Sequence, residues 1–400
     1  MKLEKPSTTS MLLVMSIFMA SLINYGPLVI VLSCLLFVFV VGIGFTQNNL
    51  ITIFILLLYS LISLVTLFFY PDNTFHQVQI DSSFANYLNI SFLSLFSVIF
   101  YQGLSKYPDL IYKCIGIVVK LHCIIWVTQV IVYSGSSYYL DLHGWFTGES
   151  SRYLTQGISD GFLKYRFTGI TVEPSTYATT IILLVLSRVV LSEVVVKKTS
   201  RKIDKYDVLA IATAFFTFST AAMFYSLCAF FIIYAYKYFK KEHIIFIALS
   251  LIIITPVLFF VFKMGLDRFD EVSGIRFSFL NYIFFTREDY FFWFGSNLFA
   301  LEKELYIEVF NLAGEARTMA SVNDSGVIPF LMTFTGIFGL VIVVILLLLI
   351  AFINLPVFFC VAIVLLTKIS IYHCLFFIFI CSAIFSIIEK NYHVKNSIIY

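Results

Sequence analysis

Residues 326–350 read GVIPFLMTFTGIFGLVIVVILLLLI, an apolar run without a single charged side chain. Coiled as a helix at about 1.5 Å of rise per residue, such a run spans roughly 37 Å, more than the ~30 Å hydrocarbon core of a bilayer. Lipid offers no partner to a bare peptide group, so a helix, which bonds its own backbone, is the form this stretch takes in a membrane. Gly336 and Gly339 within it permit close approach of a neighbouring element.

The same signature recurs along the whole chain. Of its 400 residues, 60% are hydrophobic and 12% charged, with a mean hydropathy of +0.96. Soluble domains run at about 45–50% apolar and about 25% charged, so a soluble multi-domain protein is excluded. Apolar runs bounded by turn residues or charges predict twelve spans, near 10–24, 26–45, 50–70, 86–104, 112–133, 174–194, 207–219, 221–236, 243–262, 326–350, 355–367 and 370–388. The expected fold is therefore an all-α polytopic membrane protein, one integral domain over 1–400. Ser219-Thr220 divides the seventh span from the eighth, and Lys368 with Ser370 divides the last pair. The first run follows Lys2 and Lys5 and lacks a small-x-small site before Asn24, so it reads as an uncleaved first span.

Charge then orients the map. With the N-terminus inside, the short inner segments collect fourteen basic residues, among them Lys106, Lys113, Arg201, Lys202, Lys240 and Lys390, against Lys368 alone in the short outer turns. The positive-inside rule is met at every basic loop, and an even span count returns the C-terminus to the cytoplasm. The formal net charge of +3 says nothing more about partners, and no nucleic-acid partner is implied.

Two long segments, 134–173 and 263–325, remain on the outer, periplasmic side. Together they hold nine basic residues and fourteen of the 23 acidic ones. Loops of this length are functional or disordered, and residues such as Phe284, Phe285, Tyr290, Phe291, Phe292, Trp293 and Phe294 make the second too aromatic for disorder. Leu298, Leu301, Leu305, Val309 and Leu312 fall at helical spacing opposite Glu302, Lys303, Glu304 and Glu308, with Ser296 as N-cap and Gly314 as stop. That pattern predicts an amphipathic helix, either on the membrane–water interface or over the rim of the bundle.

The seven cysteines lie in or beside apolar runs without CxxC spacing, so they read as small buried hydrophobes rather than disulfides or metal ligands. Charges within spans are few: Lys120 and His122 in the fifth, placed deep, and Arg188 in the sixth, near enough to the inner face to snorkel. The spans lack the acidic residues on which ion-coupled carriers depend, which argues against a gradient-driven transporter.

Chemistry concentrates where the first outer segment enters the sixth span. Residues 151–178 read SRYLTQGISDGFLKYRFTGITVEPSTYA. Pro174 suits the first turn of a helix, and Glu173 precedes its positive end. An arginine such as Arg166 can hold a phosphate bidentately, and a carboxylate such as Glu173 can take a proton from an attacking hydroxyl. A salt bridge with helix capping accounts for the same residues, and spacing alone leaves both readings open. At the far end of the second segment, 321–339 read SVNDSGVIPFLMTFTGIFG, where Asp324 either caps a helix or joins a polar cluster with Arg166 and Glu173.

Three ordered stretches carry a resemblance: Arg166-Phe-Thr-Gly169 with Glu173-Pro174-Ser175 and Ala178; Phe218-Ser219-Thr220-Ala221-Ala222; and Asn323-Asp324-Ser325-Gly326 followed by Gly336-Ile337-Phe338-Gly339. Over residues 150–345 the chain resembles the O-antigen polymerase (Wzy) family and the related O-antigen ligases, glycosyltransferases of the bacterial inner membrane. The resemblance implies transfer of a polyprenyl-diphosphate-linked oligosaccharide onto a sugar hydroxyl of another lipid-linked repeat unit, in the building of O-antigen or capsule. It implies neither metal nor cofactor, and it implies a flippase and a chain-length regulator as partners. In that reaction Arg166, Arg276 and Arg287 would bind the diphosphate, ahead of Lys263 and Arg268, while Glu173 or Asp324 would serve as base. Two departures stand out. Thr220 occupies a place where family members often carry arginine, and Asn323-Asp324 stands where ligases present histidine. The second favours polymerase over ligase. A lipid-linked oligosaccharide flippase would need a charged central cavity and shorter loops, and a mannosyltransferase-type enzyme an acidic first outer loop, where this chain has only Tyr25-Gly26.

Overall fold

A computed structural model describes residues 8–23, 25, 27–42, 47–69, 77–154, 165–195, 204–238, 279–305 and 326–398. The predicted span 243–262, together with Lys263, Arg268, Arg276, Val309, Leu312, Gly314 and the Asn323–Ser325 motif, lies outside the described residues. Among those described, regular structure is helical throughout, with isolated bridges such as Leu154–Tyr165 and Asn297–Ala300.

The helices are α1 (Thr8–Ala20), α2 (Pro27–Val41), α3 (Gln47–Thr66), α4 (Gln77–Lys106), α5 (Pro108–Ser136), α6 (Leu142–Thr147), α7 (Pro174–Val195), α8 (Lys205–Phe215), α9 (Thr220–Tyr238), α10 (Asp289–Phe294), α11 (Val327–Ile353), α12 (Leu355–Leu366) and α13 (Cys374–Ile398). Four stretches, Asn86–Lys106, Pro108–Ser136, Pro174–Val195 and Val327–Ile353, are helical, long and apolar enough to cross a membrane. The chain is thus an all-α protein with the apolar helices of a membrane protein. Helices α1, α2 and α12, at 13, 15 and 12 residues, fall short of the ~20 that a crossing needs.

Local chemistry explains the boundaries. Pro108 and Pro174 open α5 and α7, where a missing N–H costs nothing. Asp204 caps α8 through Tyr206 N at 3.1 Å. Between α8 and α9 the chain breaks at 216–219, with Phe218 at φ 54°, where the polar Ser219-Thr220 pair predicts it.

Helix α7 is the axis of the bundle, packed by α5, α8, α9 and α13. Its whole apolar run from Ile181 to Leu186 is buried. Over one apolar 18-residue stretch of each helix, 72% of α7 is buried inside the protein, against 6% of α11, whose buried residues all lie in 327–336. The first is a core element. The second presents its side chains outward, as a helix facing hydrocarbon does. All seven cysteines are free thiols, six of them buried and Cys228 half-buried.

Polar contacts mark the two ends of the bundle. At one end Tyr25 OH donates to Ile170 O at 2.6 Å, and Lys368 stands 3.9 Å from Glu173. At the other, Glu193 accepts from Asn354 Nδ2 at 2.7 Å and pairs with Lys390 at 3.5 Å, while Lys106 Nζ donates to Val41 O at 3.2 Å. Glu173 and Glu193 are about 30 Å apart along α7 at 1.5 Å per residue, close to the thickness of a hydrocarbon core.

Arg188 corrects an expectation. It is not a snorkelling side chain: it is buried, paired with Asp207 and with Asp204 at 3.3 Å, and stacked 4.8 Å from the Tyr112 ring. Its carboxylates sit 16 and 19 positions on, at the start of α8, so no local spacing announces the pair. His122 is fully buried with Nε2 2.8 Å from Ser21 Oγ, and Lys120 lies 4.2 Å above the Tyr206 ring.

Candidate functional site

The approach to α7 is built from the inside outward. Gln129, buried on α5, donates to Gly169 O and Leu140 O and accepts from Gly169 N, each at 2.8 Å. Gly169 has φ +61°, and a Cβ there would stand 2.7 Å from the Tyr177 ring, so both conformation and space require glycine. Thr171 Oγ1 donates to Thr168 O and to Glu173 O at 2.8 and 2.9 Å, and Tyr177 N closes the first helical turn onto Glu173 O at 3.1 Å.

Outside this turn the chain doubles back. Arg152 N donates to Val172 O at 2.6 Å, Arg166 N to Tyr153 O at 2.8 Å, and Leu154 pairs antiparallel with Tyr165. Tyr139 stacks on Tyr153 at 4.0 Å, and Tyr133 lies 4.6 Å from Tyr165. Burial pushes the Tyr139 phenol up to about 12, against the pull of its hydrogen bonds with Thr168. Asp141 caps α6 through Gly144 N and also accepts from Ser151 N, each at 2.9 Å. The imidazole of His143, buried against Tyr25, is held below its ordinary range by desolvation, with the nearby Asp141 and Glu149 opposing the shift.

At the mouth of α7 stands Glu173, which accepts from Ser175 Oγ and faces two cations. Arg152 Nη1 is 3.6 Å away and Lys368 Nζ 3.9 Å, and the side chains of Glu173 and Lys368 are each 17% exposed against 62% for Arg152. Both ion contacts are longer than the ~2.7–2.9 Å of a charge-assisted hydrogen bond. Arg166 belongs to the same hairpin, but its Nη2 donates to Leu154 O at 3.1 Å. The cations opposite Glu173 are thus residues that the motif reading did not single out. Lys368 had one signal, as the only base in the short outer turns, and Arg152 had another, opening the 151–178 stretch. Gly326, in the first half of the third motif, comes so close that a Cβ on it would stand 2.9 Å from Thr367 O, beside Lys368, so that part of the motif joins the same end of the bundle.

Arg287 sits elsewhere and is held differently. Its Nε donates to Glu302 Oε1 at 2.7 Å and its Nη2 to Oε2 at 3.0 Å, both side chains fully buried. The remaining donors reach Ser296 Oγ at 2.7 Å, Met332 O at 3.0 Å and Thr333 O at 2.8 Å. In an uninterrupted helix those two carbonyls would serve Gly336 and Ile337, but α11 leaves the helical region at Gly336 (φ 61°, ψ −163°). Gly295 crosses the break so closely that a Cβ on it would lie 2.4 Å from Phe334 C. Arg287 therefore closes a buried clasp and does not face outward as a phosphate ligand. Glu302 departs from the amphipathic pattern for the same reason. Residues 296–302 are not helical, so helical spacing does not govern them, and Glu302 turns inward with Leu298 and Leu301.

Among the described residues no group of three or more His, Cys, Asp or Glu stands close enough to hold a metal. Arg276 and Asp324, the remaining members of the expected site, lie outside the described residues. Compared with family models, curated proteins and solved structures, the chain finds no match in any of the three.

Proposed function

We propose that this protein is a polymerase of polyprenyl-diphosphate-linked oligosaccharide repeat units, working at the outer face of a bacterial inner membrane. The observation that carries the reading is Glu173, held on an apolar bundle's rim between Arg152 and Lys368, inside the first of the three ordered motifs. The reaction needs a base and a cationic site close together, and the placing of Glu173 beside Arg152 and Lys368 supports that reading. The acceptor's sugar hydroxyl attacks the anomeric carbon of the donor chain. As that bond forms, the bond from carbon to the diphosphate oxygen breaks, the polyprenyl diphosphate leaves with the electron pair, and the hydroxyl proton passes to the carboxylate. Cations at the rim stabilise the charge that grows on the leaving group. Asp324 is the alternative base, and Arg166 and Arg276 are further phosphate ligands in this proposal.

The proposed topology is twelve spans with both termini cytoplasmic and segments 134–173 and 263–325 periplasmic. It is supported by the basic-residue asymmetry and by the grouping of Lys106, Arg188 and Lys390 at the end opposite Glu173. A reporter fused near Lys202 should read cytoplasmic and one near Glu304 periplasmic; the same side for both would sink the map.

Function is tested in a deletion strain, with a gel of surface glycolipid run beside an extract of carrier-linked glycans. Loss of a polymerase should leave single repeat units attached to the final acceptor. A bare acceptor with long chains stranded on the carrier would make the protein a ligase, the reading that the missing histidine at Asn323-Asp324 speaks against.

A further inference from the structure

The two ion pairs described above differ in a way that bears on substrate binding. Glu302 and Arg287 meet at 2.7 and 3.0 Å with no exposure, so neither is available to a ligand. Glu173 meets Arg152 and Lys368 only at 3.6 and 3.9 Å, with Arg152 largely in solvent. Such contacts carry charge balance at longer than hydrogen-bond distance, and the pair with the exposed Arg152 holds together weakly. The three side chains also come from three places: the hairpin before α7, the mouth of α7, and the α12–α13 turn.

We infer that Glu173 is a resident counter-ion which the substrate's diphosphate displaces, so that Arg152 and Lys368 form the diphosphate site and their transfer to it releases Glu173 as the base. The inference rests on the reading of Glu173 given above and adds two residues and an order of events. A carboxylate 3.6–3.9 Å from two cations is poorly disposed to take a proton. A diphosphate carries more negative charge and more acceptor oxygens than one carboxylate, so it competes for both cations. Once they turn to the phosphate oxygens, Glu173 loses these two positive neighbours and its affinity for a proton rises. Base activation thereby waits for the leaving group to be seated, which keeps the site from acting on an acceptor alone.

The distinguishing consequence is an opposite pair of effects on binding. In purified detergent-solubilised protein, affinity is measured for inorganic pyrophosphate, for a short-chain prenyl diphosphate and for phosphatidylglycerol micelles. Removing a competing counter-ion should tighten binding, so Glu173→Gln should take either diphosphate about tenfold more tightly, while Arg152→Gln and Lys368→Gln each weaken it about tenfold or more. Arg152→Lys and Lys368→Arg keep the charge and should bind near the wild-type level, which separates charge from misfolding. Unchanged or weaker binding in Glu173→Gln would overturn the displacement. Wild-type affinity in both glutamine variants of the cations would overturn the site. Phosphatidylglycerol displacing the diphosphates at equal phosphate concentration would assign the cations to lipid headgroups instead. Because binding is read without glycosyl transfer, the polymerase reading fails or stands separately, on the deletion-strain gel.

Discussion

Replacing Arg287 by alanine should remove folded protein from the membrane rather than merely silence it. The variant would leave the Glu302 carboxylate fully buried beside Ser296 with no cation, and would strip Met332 O and Thr333 O of the donors that Arg287 supplies. Deleting one partner of a buried pair costs about 3–5 kcal/mol, because a charge is stranded in a medium that does not solvate it. Native proteins are stable by about 5–15 kcal/mol, so a loss of that size removes much of the margin. Arg287→Lys should recover little, since one ammonium cannot reproduce a fork that spans a carboxylate and two carbonyls. The double variant Arg287→Met with Glu302→Leu should recover more than either single change, because both charges go together. Extraction yield, monodispersity and melting temperature decide the matter. An Arg287→Ala protein that melts like the wild type would refute the clasp.

The second large effect is expected at Glu173, and of another kind. Glu173→Gln keeps the size of the side chain and can still hydrogen-bond to Ser175. It cannot accept a proton at neutral pH. Polymer formation should fall by about 10²-fold or more, as general-base contributions usually do, while yield and melting temperature stay near wild type because the residue stands on the rim. Should Asp324→Asn show that loss and Glu173→Gln keep activity, the role of base passes to Asp324. Normal polymer from both variants would mean that these carboxylates serve only to cap helices and balance charge.

Much of this architecture is legible in the sequence because lipid imposes so simple a rule. A segment such as 326–350 has one stable form in hydrocarbon, and the polar pair Ser219-Thr220 is enough to announce the break between α8 and α9. The site is legible up to the point where it depends on neighbours distant in sequence. Pro174 acts within its own turn, so its place at the start of α7 follows from the order, whereas Gly169 answers to Tyr177 and to Gln129, 40 positions away. Lys368 meets Glu173 from 195 positions away, through the packing of α12 and α13 about α7, and nothing in either segment encodes the meeting. Arg188 misleads for the same reason, since Asp204 and Asp207 return to it only after the inner turn. Arg287 and Glu302 mislead differently: both look like surface charges of an aromatic loop until the broken α11 supplies carbonyls that need a donor.

That break also divides α11 into two mechanical bodies. Residues 327–335 are bonded to the outer segment through Arg287 and through Ser296 N, which donates to Thr333 O at 2.8 Å. Residues 337–353 continue as the bare column that faces outward. Gly336 joins them in a backbone conformation that transmits torque poorly, because no ladder of axial hydrogen bonds runs straight through it. A push on residues 287–302 should therefore tilt the cap of α11 with them, as a lever turning on Gly336, while the shaft 337–353 keeps its alignment. Spin labels placed as pairs on the cap, or as pairs on the shaft, should report one fixed distance each, and pairs straddling residue 336 should report the spread.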